Sequence, residues 1–62
     1  MAIYKPYKHG TMNKAQAKIM AAVGDRANLR MIMNGAGYKS IAAVVSLVES
    51  LVKAEMLEAI DV

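Results

Sequence analysis

The chain has 62 residues, a formal net charge of +3 and no cysteine. That length holds a single domain, and the absence of cysteine excludes a disulfide staple or a thiolate metal site. With a single histidine, His9, a His-based metal site within one chain is not expected. The composition is 56% hydrophobic, with six methionines but no Phe or Trp, so a core this small must rely on close helix packing, with methionine filling irregular gaps, or on self-association.

The charge is unevenly divided. Residues 1–39 hold Lys5, Lys8, Lys14, Lys18, Arg26, Arg30 and Lys39 against Asp25 alone, a balance of +6. Residues 40–62 hold Lys53 against Glu49, Glu55, Glu58 and Asp61, a balance of −3. The basic part suits an anionic partner such as a phosphate backbone. The longest uncharged run, Ser40 to Val48, is far below the roughly 18 apolar residues of a membrane-spanning helix. The N-terminal MAIYKPYKHG is polar and has none of the features of a secretory signal. A cytoplasmic protein is expected.

In chain order, Ile3, Tyr4 and Tyr7 favour an extended segment over residues 1–11, and Pro6 restricts any strand there to an edge or an arm. Asn13 is a good helix N-cap, and Gln16 three residues on can complete a capping box. Ala15, Ile19, Ala22 and Val23 then share one helical face, with Met20 beside them, and Gly24 is the expected stop. Asp25 is the expected cap of a short second helix with Leu29, Ile32 and Met33 inward and Arg26 and Arg30 outward. Asn34, Gly35 and Gly37 are expected to close it.

Ser40 is the expected cap of a third helix. At 100° per residue, Ile41, Val44, Val45, Val48, Leu51 and Val52 share a core face, and Ala42, Ser46, Glu49, Ser50 and Lys53 the opposite one. An interfacial membrane helix would carry several Lys/Arg on that polar face; this one has a single Lys and a Glu. Beyond Ala54 the period becomes mixed and a terminal strand over residues 57–62 is expected, with Ile3–Tyr7 as its best partner. The whole is a mainly α, single-domain chain with a three-helix core over residues 13–58 and at most a minimal, two-stranded sheet.

Three helices with a tight glycine-containing connection before the third are the elements of a helix-turn-helix. The stretch Gly37–Tyr38–Lys39–Ser40, followed by Ala43, Val48, Leu51 and Met56–Leu57–Glu58, resembles the winged helix-turn-helix domains of bacterial and phage regulators, and in particular the N-terminal domain of LexA-type repressors. The resemblance covers about three quarters of the chain. It implies a winged-helix-like fold, a small transcriptional regulator, and double-stranded DNA as partner. By that match the DNA-facing positions fall on Ser40, Ala42, Ala43, Val45 and Ser46; helical phase also turns Ala42, Ala43 and Ser46 outward but sets Val45 at the core edge. Alanine can touch a thymine methyl, and serine can bond either type of base edge. Lys39 at the turn, Arg26 and Arg30 beside the second helix, and Lys14 and Lys18 on the first are candidates for phosphate, with Lys5 and Lys8 as a basic arm beside Tyr4 and Tyr7.

An enzyme is not expected. The acidic residues form no paired, buried set, His9 lacks an evident Asp or Ser partner, and Asn34–Gly35–Ala36–Gly37 lacks the preceding strand and following Lys–Ser/Thr of a phosphate-cradling loop. No cofactor is implied. The competing reading is a protein-interaction module on the same fold, an inhibitor or adaptor of the phage type that binds a host regulator or polymerase through the third helix and the methionines Met31 and Met33. A homodimer is compatible with both.

Overall fold

The computed structural model describes residues 2–61. Strand β1 (Ala2–Pro6) is followed by helices α1 (Lys14–Val23), α2 (Leu29–Ala36) and α3 (Ile41–Lys53), and by strand β2 (Leu57–Asp61). β1 and β2 pair antiparallel in the register Ala2↔Asp61, Ile3↔Ile60, Tyr4↔Ala59, Lys5↔Glu58 and Pro6↔Leu57. The chain is a mainly α three-helix domain with a minimal two-stranded sheet joining its two ends. Val62, in the expected strand over 57–62, lies outside the described residues.

β1 is bonded on both sides. Tyr4 N–H donates to the carbonyl of Ala27 at 2.9 Å, and Ala27 N–H donates back to Tyr4 at 3.0 Å. The Tyr4 backbone groups therefore point away from β2, and Ile3 and Lys5 carry the bonds to it. Pro6 has the same orientation as Tyr4, so its missing N–H faces away from β2 and costs no bond to that strand. Of the expected arm or edge strand over residues 1–11, the part from Ala2 to Pro6 is a pinned strand, continued by Tyr7 N–H to Met56 (3.0 Å) and Lys8 N–H to Glu55 (2.9 Å).

The Ala27 bridge also explains where α2 begins. Asp25 and Arg26 lie in the connection that brings Ala27 to β1, and the cap is Asn28, whose side chain accepts from Met31 N–H at 2.9 Å. The expected cap at Asp25 is corrected accordingly. α1 begins as expected, with a full capping box: Asn13 Oδ1 accepts from Gln16 N–H at 2.8 Å, and Gln16 Oε1 from Asn13 N–H at 3.1 Å. It ends at Gly24.

The core is Ile19, Val23, Ala27, Ile32, Val44, Val48, Leu51, Met56 and Leu57, with Tyr4, Leu29, Met33, Tyr38 and Leu47 packed around it. Every element contributes, and the radius of gyration of 10.1 Å is close to the ~10.6 Å of a globular chain this long. Gly35 does not close α2. It lies inside the helix, where a Cβ would come within 3.1 Å of the Ala22 Cβ on α1. The absent side chain lets two helix backbones approach. The helix ends instead at Gly37, in the left-handed region at φ 78°, with its N–H and that of Tyr38 returning to the carbonyls of Asn34 and Met33.

Filling the α1–α2 contact should be costly. Gly35→Val is expected to lower unfolding free energy by about 1–3 kcal/mol, the usual range for overpacking, read as an earlier urea midpoint at unchanged slope.

Candidate nucleic-acid interface

The chain turns through 105° between α2 and α3. The connection is Gly37–Tyr38–Lys39–Ser40. Gly37 supplies the reversal, and Tyr38 packs inward against the core. After Tyr38 the residues Lys39, Ser40, Ile41, Ala42 and Ala43 are all exposed, and the first buried position is Val44. The first turn of α3 therefore projects beyond the body that covers the rest of the helix.

This overhang corrects the phase reading of Ile41. Its angle lies on the core side, but no element reaches that turn, and Ile41 is 46% exposed. Val45 and Val52 are half-buried, while Val44, Val48 and Leu51 form the buried stripe. Ala42, Ser46, Glu49, Ser50 and Lys53 are exposed, as their phase requires. Ser40 occupies the N-cap position with extended backbone, but its hydroxyl makes no capping hydrogen bond. The expected structural role for that hydroxyl is therefore not filled, and it bonds no described residue.

The basic residues are spread around the helices. Lys39 stands at the start of α3, and Arg30 is the second residue of α2, with Arg26 ahead of it. All three are exposed, as are Lys14 and Lys18 on α1. Gln16 Nε2 donates to Ser50 Oγ at 2.9 Å, which ties the beginning of α1 to the second half of α3. Ser50 is about 15 Å along the helix from Ser40, so Lys14 sits towards the far end of α3 from Lys39. Lys5 and Lys8 lie apart, on the sheet. Lys5 faces Glu58 across the strands. Lys8 Nζ is 3.3 Å from Glu55 Oε2 and 5.4 Å from the Tyr7 ring centre. The interface thus gathers Lys39, Ser40, Ala42, Ala43 and Ser46 on one helix end, and leaves Lys5 and Lys8 beside acidic partners.

The signal that sequence reading missed is Ile41; Met31, already a candidate contact for a protein partner, is 55% exposed in the first turn of α2. Only the tertiary position of the α3 start reveals that the Ile41 side chain is uncovered. Among the described residues no three His, Asp or Glu side chains are placed to hold a metal ion, and no single helix is long and apolar enough to cross a membrane. No family model, curated protein or solved structure matches this chain.

The contrast between two caps is measurable. Asn28→Ala, which removes a bonded cap, should cost about 1 kcal/mol of stability, and Ser40→Ala, which removes none, no more than a few tenths. Paired thermal or urea melts of the two variants read this difference directly.

Proposed function

We propose that the protein is a small DNA-binding transcriptional regulator of winged-helix-like, helix-turn-helix type that acts in the cytoplasm. The observation that carries this reading is the 105° turn from α2 into α3 through Gly37–Ser40, joined to an uncovered first turn of α3. Helix-turn-helix units cross at about 90–120° through a connection of 3–4 residues, and read the major groove with the N-terminal part of the second helix. The strand after the third helix, which in a wing would pair with a following strand, here pairs with β1.

In this reading Ala42, Ala43 and Ser46 face base edges, joined by the uncommitted hydroxyl of Ser40. Their small size lets the α3 backbone come close to the groove, where methyl groups meet thymine and hydroxyls bond either edge. Ile41 adds an apolar contact of the same kind. No Arg, Asn or Gln lies on this face to bind guanine or adenine bidentately, so base selectivity is weak to moderate and phosphate contacts supply most of the affinity. Lys39 and Arg30 stand near opposite ends of α2, a helix about 12 Å long, which is on the order of the ~12 Å major-groove width. They suit phosphates on its two sides, with Arg26, Lys18 and Lys14 extending the contact. Lys5 and Lys8 contribute less, because Glu58 and Glu55 offset their charge.

A second reading rests on Met31 and Ile41. Two exposed apolar side chains at helix starts also suit a protein partner, in which case the same surface docks on a regulator or polymerase.

Anisotropy of a fluorescent duplex separates the two. Neutralising roughly five phosphates should give a slope of log affinity on log salt of about −4 to −5. Lys39→Ala with Arg30→Ala should reduce that slope by about 2 and weaken binding by roughly tenfold or more at low salt. Failure of the wild-type chain to bind at low salt would sink the DNA reading and leave the protein partner.

A further inference from the structure

The outer edge of β2 has no partner among the described residues. Because Tyr4 spends both backbone groups on Ala27, the Tyr4↔Ala59 pair is one that exchanges no hydrogen bonds. The N–H and C=O of Ala59 therefore point away from β1, as do those of Leu57 and Asp61. No described backbone group bonds this edge. The strand carries neither proline nor lysine; its charged residues are Glu58 and Asp61. β1, by contrast, is engaged on both sides.

A groove of about 350 Å³ lies beside this edge, lined by Tyr4, Val48, Val52 and Ala59, with Glu49 and Lys53 also at its walls. Ala59 is exposed although it is on the side of the sheet that faces the core. Glu49 and Lys53 are exposed, and neither forms an ion pair with a described residue.

We infer that β2 is a self-association edge, at which two copies of this chain pair their β2 strands antiparallel about a two-fold axis through Ala59. The register follows from the groups available. An axis at Ala59 pairs Leu57 with Asp61 of the second copy and Ala59 with its equivalent, and supplies about six inter-chain hydrogen bonds. An axis one residue earlier would set two Glu58 side chains face to face, and one residue later would lose the Leu57 pair. With the axis at Ala59, the two sheets become one four-stranded sheet, and both α3 helices lie on the same side of it.

The charges agree with that register. Ala59 shares its groove with residues 48–53 of α3, so the axis passes the middle of that span. Two antiparallel helices related there bring Glu49 of one copy towards Lys53 of the other, twice. The apolar groove is closed by the same movement, and the overhanging starts of α3 remain outside the interface. The inference does not depend on what those helix starts bind.

Sedimentation equilibrium of the full chain from micromolar to millimolar concentration tests it. The wild type is expected to reach a dimer. Ala59→Pro removes an N–H that bonds no described residue, and should shift the protein to monomer with its helical circular dichroism retained. Lys53→Glu should raise the dimer Kd by roughly tenfold, and the exchanged pair Glu49→Lys with Lys53→Glu should restore it. The exchange decides the question even where the proline variant fails to fold, because both sites are exposed. A wild type that stays monomeric throughout overturns the inference. So does a dimer that is indifferent to Ala59→Pro in a folded chain, or to the charge reversal.

Discussion

The two hydrogen bonds between Tyr4 and Ala27 hold the molecule in its arrangement. They fix β1 to the connection between α1 and α2, while Ile3 and Lys5 fix the same strand to β2. The two ends of the chain and its first interhelical connection are thereby tied together across five residues. Ala27 is buried as a consequence. The start of α2 is set by that bridge, and its end by Gly37, so the direction in which α3 leaves depends on both. A chain of this size without disulfide or metal needs such long-range ties, because local helix propensity alone leaves short helices marginal.

Helix termini carry a second layer of organisation. Gln16 closes the capping box of α1 with its amide oxygen and reaches Ser50 on α3 with its amide nitrogen. One side chain thus both starts a helix and registers it against another. Just beyond the C-terminus of α3, Glu55 adopts φ 62°, a conformation that disfavours a residue with a Cβ by about 1–2 kcal/mol. Its carbonyl accepts from Lys8 N–H and its carboxylate meets Lys8 Nζ. The exposed ion pair is worth at most about 1 kcal/mol; the turn is held by Glu55 N–H to the Val52 carbonyl (3.0 Å), by Met56 N–H to that of Leu51 (2.9 Å), and by burial of Met56 and Leu57.

Features governed by neighbours in sequence were readable from it. The Asn13–Gln16 box, the stop at Gly24 and the buried stripe Val44–Val48–Leu51 all follow from local chemistry or period; the two terminal strands were legible as segments, and each had the other as its one available partner. Features governed by distant residues were not. Asp25 has the chemistry of a cap, but the bridge at Ala27 delays α2 until Asn28. Gly35 reads as a helix breaker, yet its role is set by Ala22 on another helix. Ile41 has the phase of a core residue, and only the overhang of α3 exposes it. Of the candidate interface, the outward positions Ala42, Ala43 and Ser46 were fixed by helical phase. Whether the hydroxyl of Ser40 caps its helix depends on side-chain geometry that no spacing rule contains.

The division of charge along the sequence becomes a division in space. Of the seven basic residues before position 40, Lys8 is paired with Glu55 and Lys5 faces Glu58, both on the sheet. That leaves Lys14, Lys18, Arg26, Arg30 and Lys39 exposed on or beside the helices. Neither Lys39 nor Arg30 forms an ion pair with a described residue, so the charge of each is left to attract an anion at the helix starts. At the β2 groove the charged side chains are instead Glu49 and Lys53. The residues on which the two proposals draw are thus separate: the basic side chains of the helices for one, and the β2 edge with Glu49 and Lys53 for the other.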